Sequence, residues 1–189
     1  MLKTIFSAIR VQQWYKNFVI FVGIVFSLNL TNLWMLSRTI AAFGTFCMLS
    51  SSVYLINDIH DADRDRLHPV KRNRPIASER LPIRLAKPLA GLLVSVSLVS
   101  AFFLGSLFFV VCLIYLVQNL LYTFWLSSIA IVDVTVVSIG FVWRAIAGTV
   151  VISVATSPWL IICSFLLALF LALLKRQSEM ATVERAEEH

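Results

Sequence analysis

The feature that most constrains this chain is a succession of apolar runs broken by only one long polar loop. Six stretches reach or approach the roughly 20 residues that a spanning helix needs: Phe18–Leu30, Thr39–Ile56, Pro88–Leu104, Leu107–Leu126, Ile129–Val154 and Trp159–Leu174. The first is short unless Trp14 and Tyr15 open it as interfacial anchors. Gly105 and Ser106 alone separate the third run from the fourth, which predicts a tight helical hairpin. Charged residues make up 14% of the chain and apolar ones 59%, with a mean hydropathy of +0.87. A soluble domain carries about a quarter charged residues, so this surface must face lipid. The expected fold is an all-α membrane protein with about six transmembrane helices.

Lys and Arg set the expected orientation. Lys3, Arg10 and Lys16 precede the first run, eight Lys and Arg fall between Arg64 and Lys87, and Lys175 and Arg176 close the sixth. The opposite connections, Asn29–Ser37, Gly105–Ser106 and Ala155–Pro158, carry none, with Arg38 the one dissent. The excess of positive charge on the inner side places both termini and the 57–87 loop in the cytoplasm of a multi-pass plasma-membrane protein. It also accounts for the net charge of +6 without nucleic acid as a partner. Cys47, Cys112 and Cys163 sit in separate apolar runs and read as small core residues, neither a disulfide framework nor metal ligands. The basic amino end lacks a small-residue cleavage site, so no cleavable signal peptide is expected. Residues 1–174 then form the transmembrane domain. Residues 175–189 form a polar cytoplasmic tail, either a helical extension or a frayed end.

The chemistry concentrates in the loop. Asn57, Asp61 and Asp65 are spaced i, i+4, i+8, and Asp58 lies three before Asp61. If the second helix continues past the membrane edge they share one face, while Asp63 turns away. Carboxylates that close repel unless a cation joins them. Oxygen ligands without Cys or paired His select Mg²⁺ over zinc, and too few are present for an all-protein Ca²⁺ cage. Lys71, Arg72 and Arg74 follow directly, supplying point charge and bidentate forks for phosphate oxygens. Acids on a metal beside cations on free oxygens are what a metal–diphosphate complex needs. The competing reading is a solvated loop anchored at anionic headgroups.

These residues resemble a known family. Asn57-Asp58-x-x-Asp61-x-x-x-Asp65 is similar to the first aspartate-rich motif of the UbiA superfamily of intramembrane prenyltransferases. The string His68-Pro69-x-Lys71-x-x-Arg74-Pro75-Ile76-Ala77 resembles one branch, the decaprenyl-phosphate phosphoribosyltransferases. Arg10-x-x-Gln13-Trp14-x-Lys16-Asn17 and Arg144-Ala145-Ile146-Ala147-Gly148 resemble that branch as well. The resemblance covers nearly the whole chain. It implies a UbiA-type bundle in which Asn57, Asp58, Asp61 and Asp65 hold Mg²⁺, with the three aspartates catalytic. It further implies substrate contacts from Lys16, His68, Lys71, Arg72, Arg74, Tyr122, Asp133 and Arg144. The implied reaction moves a phosphoribosyl group from phosphoribosyl pyrophosphate to a polyprenyl phosphate, in the pathway to the cell-envelope arabinose donor. The implied partners are a polyprenyl lipid, a diphosphate-bearing donor and the bilayer.

Asp133 and Arg144 lie inside the fifth run, where an ionisable residue costs about 2.5 to 3.5 kcal/mol and must face the bundle interior or a cavity. Eleven positions is about three turns, so both can face one side. From chemistry alone they either line a polar cavity or serve packing, with Asp133 at the interface. Gln118 and Asn119 read as helix–helix glue. The chain departs from the family in two places. Relatives usually carry Lys five residues after Tyr122, where this sequence has Ser127, and they commonly have nine spans where six are expected here. Three readings of that length stand open: a fragment, a truncated product, or a minimal form that closes its cavity by homo-oligomerisation. The rival functions are prenyl transfer from a prenyl diphosphate to an aromatic acceptor, and a truncated non-catalytic relative.

Overall fold

A computed structural model describes residues 2–126 and 130–187, without the side chains of residues 130, 131, 175 and 178–187. Every regular element among the described residues is helical. After α1 (Leu2–Ala8) the chain enters a 3₁₀ stretch, Val11–Phe21, that runs into α2 (Val22–Phe26). Then come α3 (Leu33–His60), α4 (Ala62–Leu67), α5 (Ile83–Leu104) and α6 (Ser106–Leu121). A π-helical segment, Tyr122–Leu126, extends α6, and α7 (Ala130–Val150) and α8 (Pro158–Glu187) complete the chain.

Four helical segments are long and apolar enough to cross a membrane: Leu33–His60, Ile83–Leu104, Ser106–Leu126 and Val132–Val150. The other two expected spans differ in form. The apolar part of α8, Pro158–Leu174, is shorter, and the helix carries on through the polar tail to Glu187. The first run begins earlier than its hydropathy suggests and winds as 3₁₀ for eleven residues. A 3₁₀ helix rises about 2.0 Å per residue against about 1.5 Å for an α-helix, so 11–26 covers about 30 Å, close to a bilayer core.

The sequence explains why α3 is central. Asn32 caps it, its Oδ1 accepting from the amides of Trp34 (3.1 Å) and Met35 (3.2 Å). Its interior carries Ser50-Ser51-Ser52, all buried, small enough to admit neighbours and polar enough to bind them. Trp14 Nε1 donates to Ser51 Oγ at 3.0 Å, and Ser51 donates to the Ile9 carbonyl at 2.7 Å. Further out, Phe46 packs against the rings of Phe108 and Tyr115 beside Ile20, Ile24 and Leu49. By contrast α5 turns most of its apolar surface outward, as a lipid-facing helix must.

Two close contacts lock the frame. A Cβ on Gly148 would stand 2.0 Å from the Ile20 carbonyl oxygen, and one on Gly23 would stand 2.9 Å from the Gly148 backbone. The glycine of the Arg-Ala-Ile-Ala-Gly run thus lets α7 meet the first span backbone to backbone. Gly105, at φ +136, is the single residue between α5 and α6, which gives the expected tight hairpin. Arg38 also finds an explanation. Its Nε donates to the Val151 carbonyl at 2.7 Å and its Nη2 to the Leu104 carbonyl, so it caps the ends of α7 and α5. It is not a free cation on the Lys- and Arg-poor side.

Candidate functional site

Where α3 gives way to α4, a polar cavity of about 480 Å³ opens between the 3₁₀ stretch, α3, α4, α6 and α7. Asp61 ends α3 with φ −89° and ψ 4°, so the helix breaks there. The i→i+4 pattern nevertheless survives, because the Asp61 amide donates to the Asn57 carbonyl (2.9 Å) and the Asp65 amide to that of Asp61 (2.8 Å). Asn57, Asp61 and Asp65 therefore share the face that lines the cavity. Asp63 points out and pairs with Arg66 in solvent.

Asp58 has a different setting from the one its motif implies. It is 2% exposed and lies off the cavity wall. Its Oδ1 accepts from Arg10 Nη2 at 2.5 Å and from Arg74 Nη1 at 3.2 Å. Arg74 Nη1 also reaches Asp65 Oδ2 at 2.7 Å. Two buried carboxylates thus hold two guanidinium groups, both of which border the cavity.

The basic half of the loop is pinned by its apolar residues. Ile76 and Leu81 are buried against Leu55, Ala62 and Ala86, which folds Lys71 and Arg74 back over the cavity. Two of the substrate contacts that the resemblance implies do not reach it. His68 accepts the amides of Val70 (3.2 Å) and Lys71 (3.3 Å) on Nδ1, capping the turn, and Arg72 is exposed away from the wall.

The 3₁₀ geometry explains the motif before the first span. With three residues per turn, Arg10, Gln13 and Lys16 fall in one row, and all three line the cavity. Trp14, Asn17 and Ile20 form the next row and pack inward; Asn17 Nδ2 donates to Ser50 Oγ at 3.3 Å. Of these three, the family resemblance implies a substrate contact only for Lys16. The signal for Gln13 is its spacing of three from Arg10 and Lys16, which puts the three on one side only in a 3₁₀ helix. Gln13 Oε1 is buried at the wall and has no hydrogen-bond partner among the described residues.

α6 and α7 build the far wall. Tyr122 donates to Asp133 Oδ1 at 2.6 Å, and Thr123 Oγ1 lies 3.3 Å from Asn57 Oδ1, joining the π-helical segment to α3. Such segments recur at functional sites. Asp133 and Arg144 both line this one cavity. Gln118 is glue, accepting from Trp143 Nε1 at 2.6 Å and donating to the Val136 carbonyl at 3.2 Å. Asn119 differs from that expectation, since it bonds within its own helix and faces the cavity. Cys47 and Cys112 are buried as expected, but Cys163 is exposed on α8. Ser127 lies outside the described residues.

Asn57, Asp61 and Asp65 offer hard oxygens only. Among the described residues no three His, Cys, Asp or Glu side chains converge into a protein-only metal site. That donor set suits a cation whose shell is completed by water and a substrate phosphate. The same cavity is lined by Arg10, Lys16, Lys71 and Arg74, cations that can meet phosphate oxygens beside such a metal.

Comparison with known proteins bears on the chain as a whole. Residues 17–187 match the model of the UbiA prenyltransferase family. The chain is 37% identical over 185 residues to a decaprenyl-phosphate phosphoribosyltransferase of Mycolicibacterium smegmatis, covering 95% of this chain and 58% of that protein. A digeranylgeranylglyceryl phosphate synthase structure superposes with a TM-score of 0.76 at 18% identity, covering 97% of this chain and 65% of that one. A UbiA homologue from Archaeoglobus fulgidus, bound to GPP and Mg²⁺, superposes with a TM-score of 0.73 at 20% identity, covering 88% and 60%. The chain thus spans about three fifths of the length of these proteins.

Proposed function

The chain belongs to the UbiA prenyltransferase family, and from that premise we propose that it is a Mg²⁺-dependent intramembrane transferase of phosphoribosyl groups. The donor is phosphoribosyl pyrophosphate and the acceptor a polyprenyl phosphate. One observation carries the proposal: carboxylates and cations from the 3₁₀ stretch, the α3–α4 junction, α4, the 71–74 turn and α7 line a single cavity in a bundle built for lipid. The name of the Mycolicibacterium relative supports the substrate pair, and the Mg²⁺ in the Archaeoglobus homologue supports the metal.

Asn57, Asp61 and Asp65 would hold Mg²⁺, which when bound screens the donor diphosphate and stabilises it as a leaving group. Lys71, Arg74, Arg10 and Lys16 neutralise the pyrophosphate oxygens that the metal does not cover. Asp58 acts one step back, fixing Arg10 and Arg74 at the wall. Tyr122 and Asp133 border the reacting sugar as a hydrogen-bonded pair. A phosphate oxygen of the acceptor attacks the anomeric carbon of the ribose. The bond from that carbon to pyrophosphate breaks, and pyrophosphate leaves with the electron pair. Catalysis then rests on positioning and on cations placed where negative charge develops. His68 and Arg72 have no direct contact in this scheme.

The setting of Gln13 favours this reading over prenyl transfer. A buried amide oxygen without a partner is costly, and a ribose hydroxyl, both donor and acceptor, would satisfy it. A prenyl diphosphate has no hydroxyl to offer. Prenyl transfer to an aromatic acceptor remains the second reading, favoured by the GPP in the Archaeoglobus homologue. Six membrane crossings, with both ends and the 57–87 loop cytoplasmic, complete the proposal. Membranes holding the protein, Mg²⁺, labelled phosphoribosyl pyrophosphate and polyprenyl phosphate should yield labelled lipid. Product from a prenyl diphosphate instead would transfer support to the second reading.

A further inference from the structure

Arg144 lies within the Val132–Val150 span and is 5% exposed, yet among the described residues no carboxylate pairs with it. Its Nε donates to Asn17 Oδ1 at 2.7 Å, Nη1 to the Gly140 carbonyl at 2.8 Å, and Nη2 to the Tyr115 hydroxyl at 3.0 Å. The rings of Tyr115 and Phe141 flank it at 5.2 and 5.3 Å. All these partners are neutral. Burying an unpaired charge is costly enough that such groups are normally paired, and a guanidinium has five N–H donors, of which these bonds use three. The group is also built in deliberately. A Cβ on Gly140 would come within 3.3 Å of Nη1, so that glycine leaves the space the guanidinium fills. Arg144 borders the same cavity as the acids, eleven residues beyond Asp133, or about 16 Å along α7.

We propose that Arg144, held by Asn17, Gly140 and Tyr115, is a second phosphate-binding subsite at the deep end of the cavity, separate from the diphosphate at the carboxylates. The missing counter-charge is supplied by a phosphate monoester. Two sources share that chemistry: the head group of the polyprenyl phosphate acceptor and the 5-phosphate of the ribosyl donor. The inference rests on the transferase reading and deepens it.

Binding to the full chain in detergent micelles separates the sources. The probes are polyprenyl phosphate against the uncharged polyprenol, and phosphoribosyl pyrophosphate against pyrophosphate, each with Mg²⁺. Arg144→Gln should weaken one phosphate ester by about tenfold or more, as expected for lost charge-assisted hydrogen bonds, and leave pyrophosphate and polyprenol unchanged. The ester affected identifies the source. Arg144→Lys should restore part of the affinity, and Gly140→Ala, which crowds Nη1, should weaken the same ester with the charge intact. Unchanged binding of both esters in Arg144→Gln would overturn the subsite, as would an equal loss of pyrophosphate. A wild-type chain that binds no pyrophosphate with Mg²⁺ would instead overturn the transferase reading.

Discussion

Asn17 and Arg144, 127 residues apart in sequence, meet at 2.7 Å in the middle of the bundle, where the guanidinium Nε donates to the amide oxygen. Asn17 turns its other end to Ser50 Oγ and Cys47 Sγ, both at 3.3 Å, so one side chain ties the first span to α3 and α7. Asn17→Ala should therefore lower the unfolding temperature in detergent by several degrees. Asn17→Asp should be tolerated better, because a carboxylate supplies Arg144 with a counter-charge. Equal melting of the alanine variant and the parent would show that this junction does not hold the bundle.

Asp58 and Asp61 belong to one motif but should respond differently. Asp58 is buried between Arg10 and Arg74, and removing one member of a buried pair leaves charge uncompensated, at about 3–5 kcal/mol in fully enclosed cases and less here, where both arginines are a quarter exposed. Asp58→Asn should thus lower thermal stability as well as activity. Asp61 faces the open cavity, so Asp61→Asn should melt near the parent and lose Mg²⁺-dependent diphosphate binding. Melting curves with and without Mg²⁺ and pyrophosphate distinguish the two.

Much of this arrangement is legible in the sequence. The apolar runs mark the long helices, Gly105 marks the hairpin, and the i, i+4, i+8 spacing of Asn57, Asp61 and Asp65 puts them on one face even though α3 breaks at Asp61. What stays hidden depends on tertiary contact. The 3₁₀ register that aligns Arg10, Gln13 and Lys16 is selected by packing against α3 and α7, since local propensity does not favour so long a run. Asp58 reads as an equal partner of Asp61 until Arg10, 48 residues away, is placed beside it. His68 and Arg72 read as phosphate ligands because composition cannot tell which side of a turn faces inward. Arg38 reads as a topological exception until the two helix ends it caps are in view.

Two glycines give opposite expectations. Gly148 abuts the Ile20 carbonyl, so Gly148→Ala should force the first span and α7 apart, costing about 1–3 kcal/mol as overpacking does. A Cβ on Gly91 of α5 meets nothing within 4 Å, so Gly91→Ala should be neutral or stabilising by up to about 1 kcal/mol from helix propensity. Expression level and melting temperature in one detergent give the comparison directly.

On the proposed reading Gln13 meets a hydroxyl of the donor ribose. Gln13→Leu should raise the KM for phosphoribosyl pyrophosphate by about five- to tenfold, the worth of roughly one hydrogen bond. Affinity for pyrophosphate should stay the same. A matching loss of pyrophosphate would place Gln13 at the diphosphate and not at a sugar hydroxyl.

Orientation is open to a labelling test. Arg72 is exposed and off the cavity wall, so Arg72→Cys in a Cys163→Ser background should keep activity. It should react with an impermeant maleimide only from the cytoplasmic face. Reaction from the outer face would invert the proposed topology.

The central claim is that Asp61 and Asp65, with Mg²⁺, activate a diphosphate donor for transfer to a membrane lipid. Its most direct measurement is transfer of label from phosphoribosyl pyrophosphate to polyprenyl phosphate in proteoliposomes, for the parent, Asp61→Ala and Asp65→Ala, with and without EDTA. The expected result is labelled lipid from the parent with Mg²⁺, and a loss of at least about a hundredfold in either variant or with EDTA. Labelled lipid formed equally by both variants, or equally in EDTA, would contradict it.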